Sequence, residues 1–173
     1  MLDGALRQPA QGPRPPRPAH QLRRGSTINR PALKDAPTDE EVSAMPTGLT
    51  QDAGWEIGVS RTIHRPLTAV WDFVAGPEGA ALWLGLDGPV PAEKGAPYRT
   101  ADGVEGEIRS YRPGDRVRLT HGTSTVQVAV TPGSSEDRTV LRFHQERLAS
   151  AEEREERRTH WKNVMDRIEA ELT

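Results

Sequence analysis

The sequence predicts an α+β fold, a curved and strongly twisted antiparallel sheet packed around a long C-terminal helix, with two short helices after the first strand. Three observations predict it. A period-two pattern opens at Trp55, four further strand-like segments bounded by turn residues fill the middle, and an unbroken amphipathic stretch runs from Ser150 to Leu172.

In the first strand Trp55, Ile57, Val59 and Ile63 alternate with Glu56, Gly58, Ser60 and Thr62, as a half-buried strand requires. Pro66 suits a first helical turn. Leu67, Val70, Trp71 and Val74 then share one helical face, and Gly76-Pro77 stops the helix. A second short helix is predicted through Glu78 to Trp83, ending at Gly85, and Pro89 and Pro91 mark a loop as far as Gly95.

Strands are predicted at about 104–111, 116–121, 125–131 and 139–146. Pro113-Gly114-Asp115, Gly122-Thr123 and Pro132-Gly133-Ser134 supply the turns between them. Alternation places Val117, Leu119, Val126, Val128, Val130, Leu141 and Phe143 on one face. Arg116, Arg118, Gln127, Arg142 and His144 fall on the other.

Ser150 with Glu153 forms a capping box, and the acids Glu152 and Glu153 suit the positive end of the helix dipole. Beyond it Trp161, Val164, Met165, Ile168 and Leu172 make one apolar stripe. Roughly 22 residues give about 33 Å of helix, enough to cross a sheet. The apolar face of the sheet is the surface that such a stripe needs.

Of 173 residues 28% are charged and 34% hydrophobic, the balance of one soluble domain with an extension. No apolar run approaches the roughly 20 residues that span a bilayer, and no apolar signal core is visible. A cytoplasmic location is expected. The absence of cysteine excludes disulfides, thiolate metal sites and cysteine nucleophiles. Residues 1–44 read as a disordered Pro/Arg-rich extension and 45–173 as the folded domain. An arm for nucleic acid is the alternative for the extension, but it has no Phe, Tyr or Trp to stack on bases, so no nucleic-acid partner is expected. A start at Met45, which would make the extension an upstream addition, is a further reading.

Catalytic signatures are sparse. The five histidines show no metal-ligand spacing, and neither a nucleophile elbow nor a phosphate-binding glycine loop is present, so no metal and no cofactor is expected. Glu105, Glu107 and Arg109 read as a solvated charge ladder rather than a general acid and base. In the run from Glu152 to Arg158, Glu153 faces Arg157 and Glu155 faces Arg158, which suits a solvated helix face. That face is also the candidate surface for a protein partner.

The aromatic residues Trp71, Trp83, Tyr98, Phe143 and Trp161 all lie in elements expected to face one interior. They read either as ordinary core or as the wall of an apolar small-molecule pocket. Trp83, Tyr98, His121, Phe143, Trp161 and Met165 are the candidate ligand-binding residues. Residues 86–97 are the candidate gate, and Arg99, His121 and Gln145 the candidate polar contacts.

The segments WEIGVSRTIHRPLTAVWDFVAGPEGAALWLG, VEGEIRSYRPGDRVRL and RTVLRFHQERL followed by HWKNVMDRIEAEL carry a resemblance. Together with the order of elements they resemble the helix-grip (START-like) fold of the SRPBCC superfamily. Within it they are most similar to the bacterial single-domain form of the branch named after activators of the heat-shock-protein-90 ATPase. The resemblance covers Trp55 to Leu172 and implies a cavity between sheet and C-terminal helix. His121-Gly122-Thr123 stands where such proteins often carry a tryptophan and a longer loop, which implies a shorter rim. No segment resembles the additional chaperone-binding domain of the eukaryotic activators.

The expected function is binding of a small apolar molecule without catalysis. A polyketide cyclase or aromatase-like enzyme is the second expectation, and a chaperone- or regulator-interacting module the third.

Overall fold

The computed structural model describes residues 46–173. The expectation of a disordered segment over residues 1–44 lies outside the described residues. Seven strands form one antiparallel sheet in the order β1-β2-β7-β6-β5-β4-β3. They are β1 (Leu49–Thr50), β2 (Gly54–Ile63), β3 (Pro97–Arg99), β4 (Glu105–Arg112), β5 (Arg116–His121), β6 (Ser124–Pro132) and β7 (Thr139–Leu148). Helices α1 (Leu67–Ala75) and α2 (Pro77–Trp83) follow β2, and α3 (Ala151–Leu172) ends the chain. No described helix is long and apolar enough to cross a membrane.

The α+β architecture is the one that the periodicities predict, with β1 and β3 added at the two edges. Pro66 caps α1 from outside, at φ −58° and ψ 150°, instead of entering its first turn. Pro77 opens α2, where its missing N–H costs no helical hydrogen bond. At the start of α3 the Ser150 hydroxyl accepts from the Glu153 amide at 3.2 Å. Glu153 reaches back to the amide of Ala149, at 2.7 Å, one residue before the reciprocal partner of an ideal capping box. The Gly122-Thr123 hairpin joins His121 to Ser124 through Gly122 at φ 58°, which fits a turn with glycine at its first central position.

Two bulges reset the inside–outside alternation. Trp55 pairs with Leu148 and Ile57 with Gln145, so β7 carries one more residue than β2 across this interval. Arg147 takes up the excess at φ 63°. Gln145 and Leu148 are therefore both buried while Arg147 is exposed. In β4 the extra residue is Arg109, between pairs Ile108–Leu119 and Ser110–Arg118. The reset turns Tyr111 onto Trp71, edge to face, with centroids 5.6 Å apart.

The core lies between the sheet and the helices. Val117, Leu119, Val126, Val128, Leu141 and Phe143 meet the α3 stripe of Trp161, Val164, Met165 and Ile168, all buried. Arg61, on the helix-facing side of β2, forms ion pairs with Asp166 and with Glu169, the latter at 3.0 Å, and these tie α3 across the sheet.

Candidate functional site

The first half of α3 brings Arg157, His160 and Trp161, at helical spacing, over the sheet opposite the end of α2. Between them opens a cleft of about 300 Å³. Trp83 and Trp161 form its walls with Val126, and Leu84 and Gly85 follow from the end of α2. Its polar groups come from four places: His121 at the end of β5, Gln145 on β7, Asp102 in the β3–β4 turn, and Arg157 with His160 on α3. A larger groove of about 490 Å³ on the outer sheet face, between Arg116, Gln127, Arg142 and His144, has no tryptophan wall.

A three-ring stack supports the wall from beneath. Phe143 lies parallel to Trp161, with centroids 4.6 Å apart and planes at 9°, and tilted against Trp83 at 5.7 Å. Both indole N–H groups are used. Trp83 donates to the Val74 carbonyl at 2.9 Å, which ties α2 to α1. Trp161 donates to Oε1 of Gln145 at 3.0 Å, Gln145 Nε2 donates to the Ser124 hydroxyl at 2.9 Å, and Ser124 donates to the His121 carbonyl at 3.0 Å. This buried chain joins the helix to three strands with its polar atoms paired, as burial demands.

At the end of that chain the Tyr98 hydroxyl donates to the Thr120 carbonyl at 2.6 Å and is 3.3 Å from Nδ1 of His121. Burial pushes the Tyr98 phenol up, so it keeps its proton. His121 is pulled below the ordinary histidine value, first by burial and then by the Arg157 charge, with Asp102 opposing. His160 is lowered by the same two causes, desolvation and then Arg157, with a smaller effect from His121. Asp102 is held below the usual carboxylate range, chiefly by the Thr100 hydroxyl that donates to it. At neutral pH the cleft thus holds a guanidinium, a carboxylate and two neutral imidazoles.

Of the six candidate residues, the structure brings Trp83, His121 and Trp161 together on the cleft. Phe143 is fully buried behind them, and Met165, 1% exposed, packs in the core one turn further along α3. Tyr98 touches His121 from outside the cleft. Of the candidate polar contacts, Gln145 and His121 line the cleft, while Arg99 is exposed on the edge strand beside Glu105 at 3.8 Å. Trp71 belongs with Tyr111, away from the stack.

Residues 86–97 do not line the cleft. They are pinned to the body by the Val90 amide on the Ala75 carbonyl, at 3.0 Å, and the Gly95 amide on the Ile108 carbonyl, at 2.8 Å. The rim is instead Gly85 with Ala101 and Asp102. Sequence reasoning missed Arg157, His160, Asp102 and Ser124. Arg157 carried a usable signal, since it precedes Trp161 by four residues and so shares its side of the helix, with His160 one turn from Arg157. Among the described residues no group of three or more His, Asp or Glu is placed to hold a metal ion.

No protein-family model matches the chain, and no curated protein matches it. Solved structures do. DynU16, a protein of the dynemicin biosynthetic locus, is 22% identical, with a TM-score of 0.56 over 68% of this chain and 46% of its own. The chain thus spans about half the length of that protein. CalU16 from Micromonospora echinospora is 18% identical, with a TM-score of 0.55 over 65% of this chain and 71% of its own. A protein from Mesorhizobium loti is 18% identical, with a TM-score of 0.57 over 66% of this chain and 94% of its own. Likeness at such identity is likeness of fold. With a seven-stranded antiparallel sheet closed by a long C-terminal helix, the chain has the α+β helix-grip fold that these proteins share.

Proposed function

We propose that this protein binds a small, largely apolar molecule in the cleft between α2, the β3–β4 turn and the first half of α3. One observation carries the reading. The interior is close-packed from Phe143 through Met165 to Ile168, yet beside Trp161 it leaves about 300 Å³ walled by two tryptophans and set with a few convergent polar groups. That volume is at the small end of ligand sites, and the combination of apolar wall and sparse polar contacts is their usual character. The resemblance to the SRPBCC superfamily points the same way, and its heat-shock-protein-90-activator branch is retained here as a proposal. So is the set of ligand contacts, now Trp83, His121 and Trp161 from the original candidates together with Arg157, His160 and Gln145.

A second reading is favoured by one feature. His121 is a neutral imidazole at the cleft, oriented by Tyr98, and could serve as a general base in a polyketide cyclase-like enzyme. DynU16 belongs to a biosynthetic locus, which supports that reading by analogy of fold alone. A protein partner docked on the exposed charged face of α3 is the third proposal.

The experiment is a titration with an apolar fluorophore such as aminoanthracene, followed by quenching of tryptophan emission. Ala101 is exposed at the rim, so Ala101→Trp should block uptake while leaving the fold intact. Unchanged uptake in that variant would remove the cleft as the site.

A further inference from the structure

We infer that the ligand enters this cleft with a phenolic or enolic hydroxyl foremost, donating to Nε2 of His121 and accepting from the guanidinium of Arg157. The inference rests on the cleft being a ligand site. It begins at Tyr98, whose hydroxyl has one proton to give and gives it to the Thr120 carbonyl at 2.6 Å. Toward Nδ1 of His121, at 3.3 Å, the same oxygen can then only accept. Two facing lone pairs would repel, so the imidazole proton belongs on Nδ1. That leaves Nε2 as an acceptor.

The Nδ1 edge of the ring is turned to Tyr98, which does not line the cleft, whereas His121 does. With Nδ1 engaged by Tyr98, Nε2 is the ring nitrogen left for the cleft, and it has no hydrogen-bond partner among the described residues. The low proton affinity imposed by burial and by Arg157 keeps that nitrogen unprotonated.

Arg157 supplies the complementary half. Its Nε is enclosed, 3.9 Å from the Glu153 carboxylate on the same helix, whereas its terminal nitrogens are not enclosed and make no hydrogen bond among the described residues, so they are the donors left for the cleft. The cleft thus presents one unmet acceptor and one unmet donor beside an aromatic wall. A hydroxyl satisfies both. A carboxylate would satisfy Arg157 but face the His121 lone pair and the Asp102 carboxylate, and an ammonium would suit His121 and Asp102 but be repelled by Arg157 and leave its donors unmet. His160, neutral on the rim, adds no charge to this balance. The flat apolar face of Trp161 favours a planar body, hence a phenol or an enol.

The probes are β-naphthol and its methyl ether, titrated against the full chain at neutral pH by fluorescence. β-Naphthol should bind about tenfold more tightly than the ether, the size of one buried hydrogen bond expressed as affinity. His121→Phe should erase the preference while keeping the ether's affinity, and Arg157→Met should reduce it. Long-range proton–nitrogen spectra of the unliganded protein should show His121 as the Nδ1–H tautomer, with that tautomer lost in Tyr98→Phe, a test that survives if His121→Phe fails to fold. Equal binding of the two probes, or an Nε2–H tautomer, would overturn the inference and leave the cleft standing as a ligand site. Failure of both probes to bind would overturn the site itself and the inference with it.

Discussion

The indole of Trp161 and the carboxamide of Gln145 meet in a buried hydrogen bond of 3.0 Å, so the wall of the cleft is locked to the sheet by a polar contact as well as by packing. Trp161→Phe preserves most of the stacking on Phe143 but leaves the Gln145 oxygen buried and unpaired. It should cost about 1–3 kcal/mol. Trp161→Ala should cost about 3–5 kcal/mol, the full core penalty. Urea midpoints for these variants and for Gln145→Leu provide the check, and the Trp161→Phe and Gln145→Leu pair should be strongly non-additive.

Gly106 has no room for a side chain. A Cβ there would meet the Thr120 carbonyl oxygen at 2.1 Å and the Tyr98 ring at 2.5 Å. Gly106→Ala should therefore destabilise by about 3 kcal/mol or more, because the Thr120 contact is backbone and cannot swing away. Tyr98→Ala in the same chain should fail to rescue it. Recovery of stability in the double variant would show that the ring alone sets the constraint.

Arg147 is the one non-glycine residue with positive φ among the described residues, and its side chain is exposed. Arg147→Gly should relieve the left-handed strain that a Cβ carries, raising stability by about 0.5–1 kcal/mol. A thermal midpoint unchanged or lowered would mean that Arg147 makes a compensating contact.

Acid should weaken the fold in two separate steps. His121 has its folded-state value below 6.5, so unfolding takes up a proton as pH drops beneath that value, and the stability present above it is lost on passing through the lower folded value. Burial is the largest cause of this shift; among the groups facing His121, Arg157 lowers it further, Asp102 opposes, and Tyr98 and His160 are neutral there. His160 is exposed at the rim, where solvent screens its share. Thermal midpoints should accordingly begin to fall below about pH 6.5, and His121→Gln should flatten that limb. The second step belongs to carboxylates held low, Asp102, Asp137 and Glu152, and lies below their ordinary values of 3.8 to 4.5.

Much of the architecture was legible because it is written in short-range periods. The alternation from Val117 to Phe143, the turn residues between strands and the α3 stripe each need only a few neighbouring residues to be read. The site was legible only in part. Trp83, His121 and Trp161 meet on the cleft, while Met165, on the same helical stripe as Trp161, is core. The two differ in what the sheet and α2 place opposite them, which no helical period encodes.

What the sequence by itself determined is the order and type of the elements and the faces they bury, since these follow from local sterics and from the separation of apolar and polar side chains. What only the tertiary structure decided is the register. The extra residues Arg109 and Arg147 turn Tyr111 and Leu148 inward. The edge pairing of Tyr98 with Gly106 carries the phenol to His121, and the crossing of α3 over β7 carries Trp161 to Gln145. Each of these depends on pairings between residues distant in the chain, whose free energy is realised only once the sheet has closed against the helix.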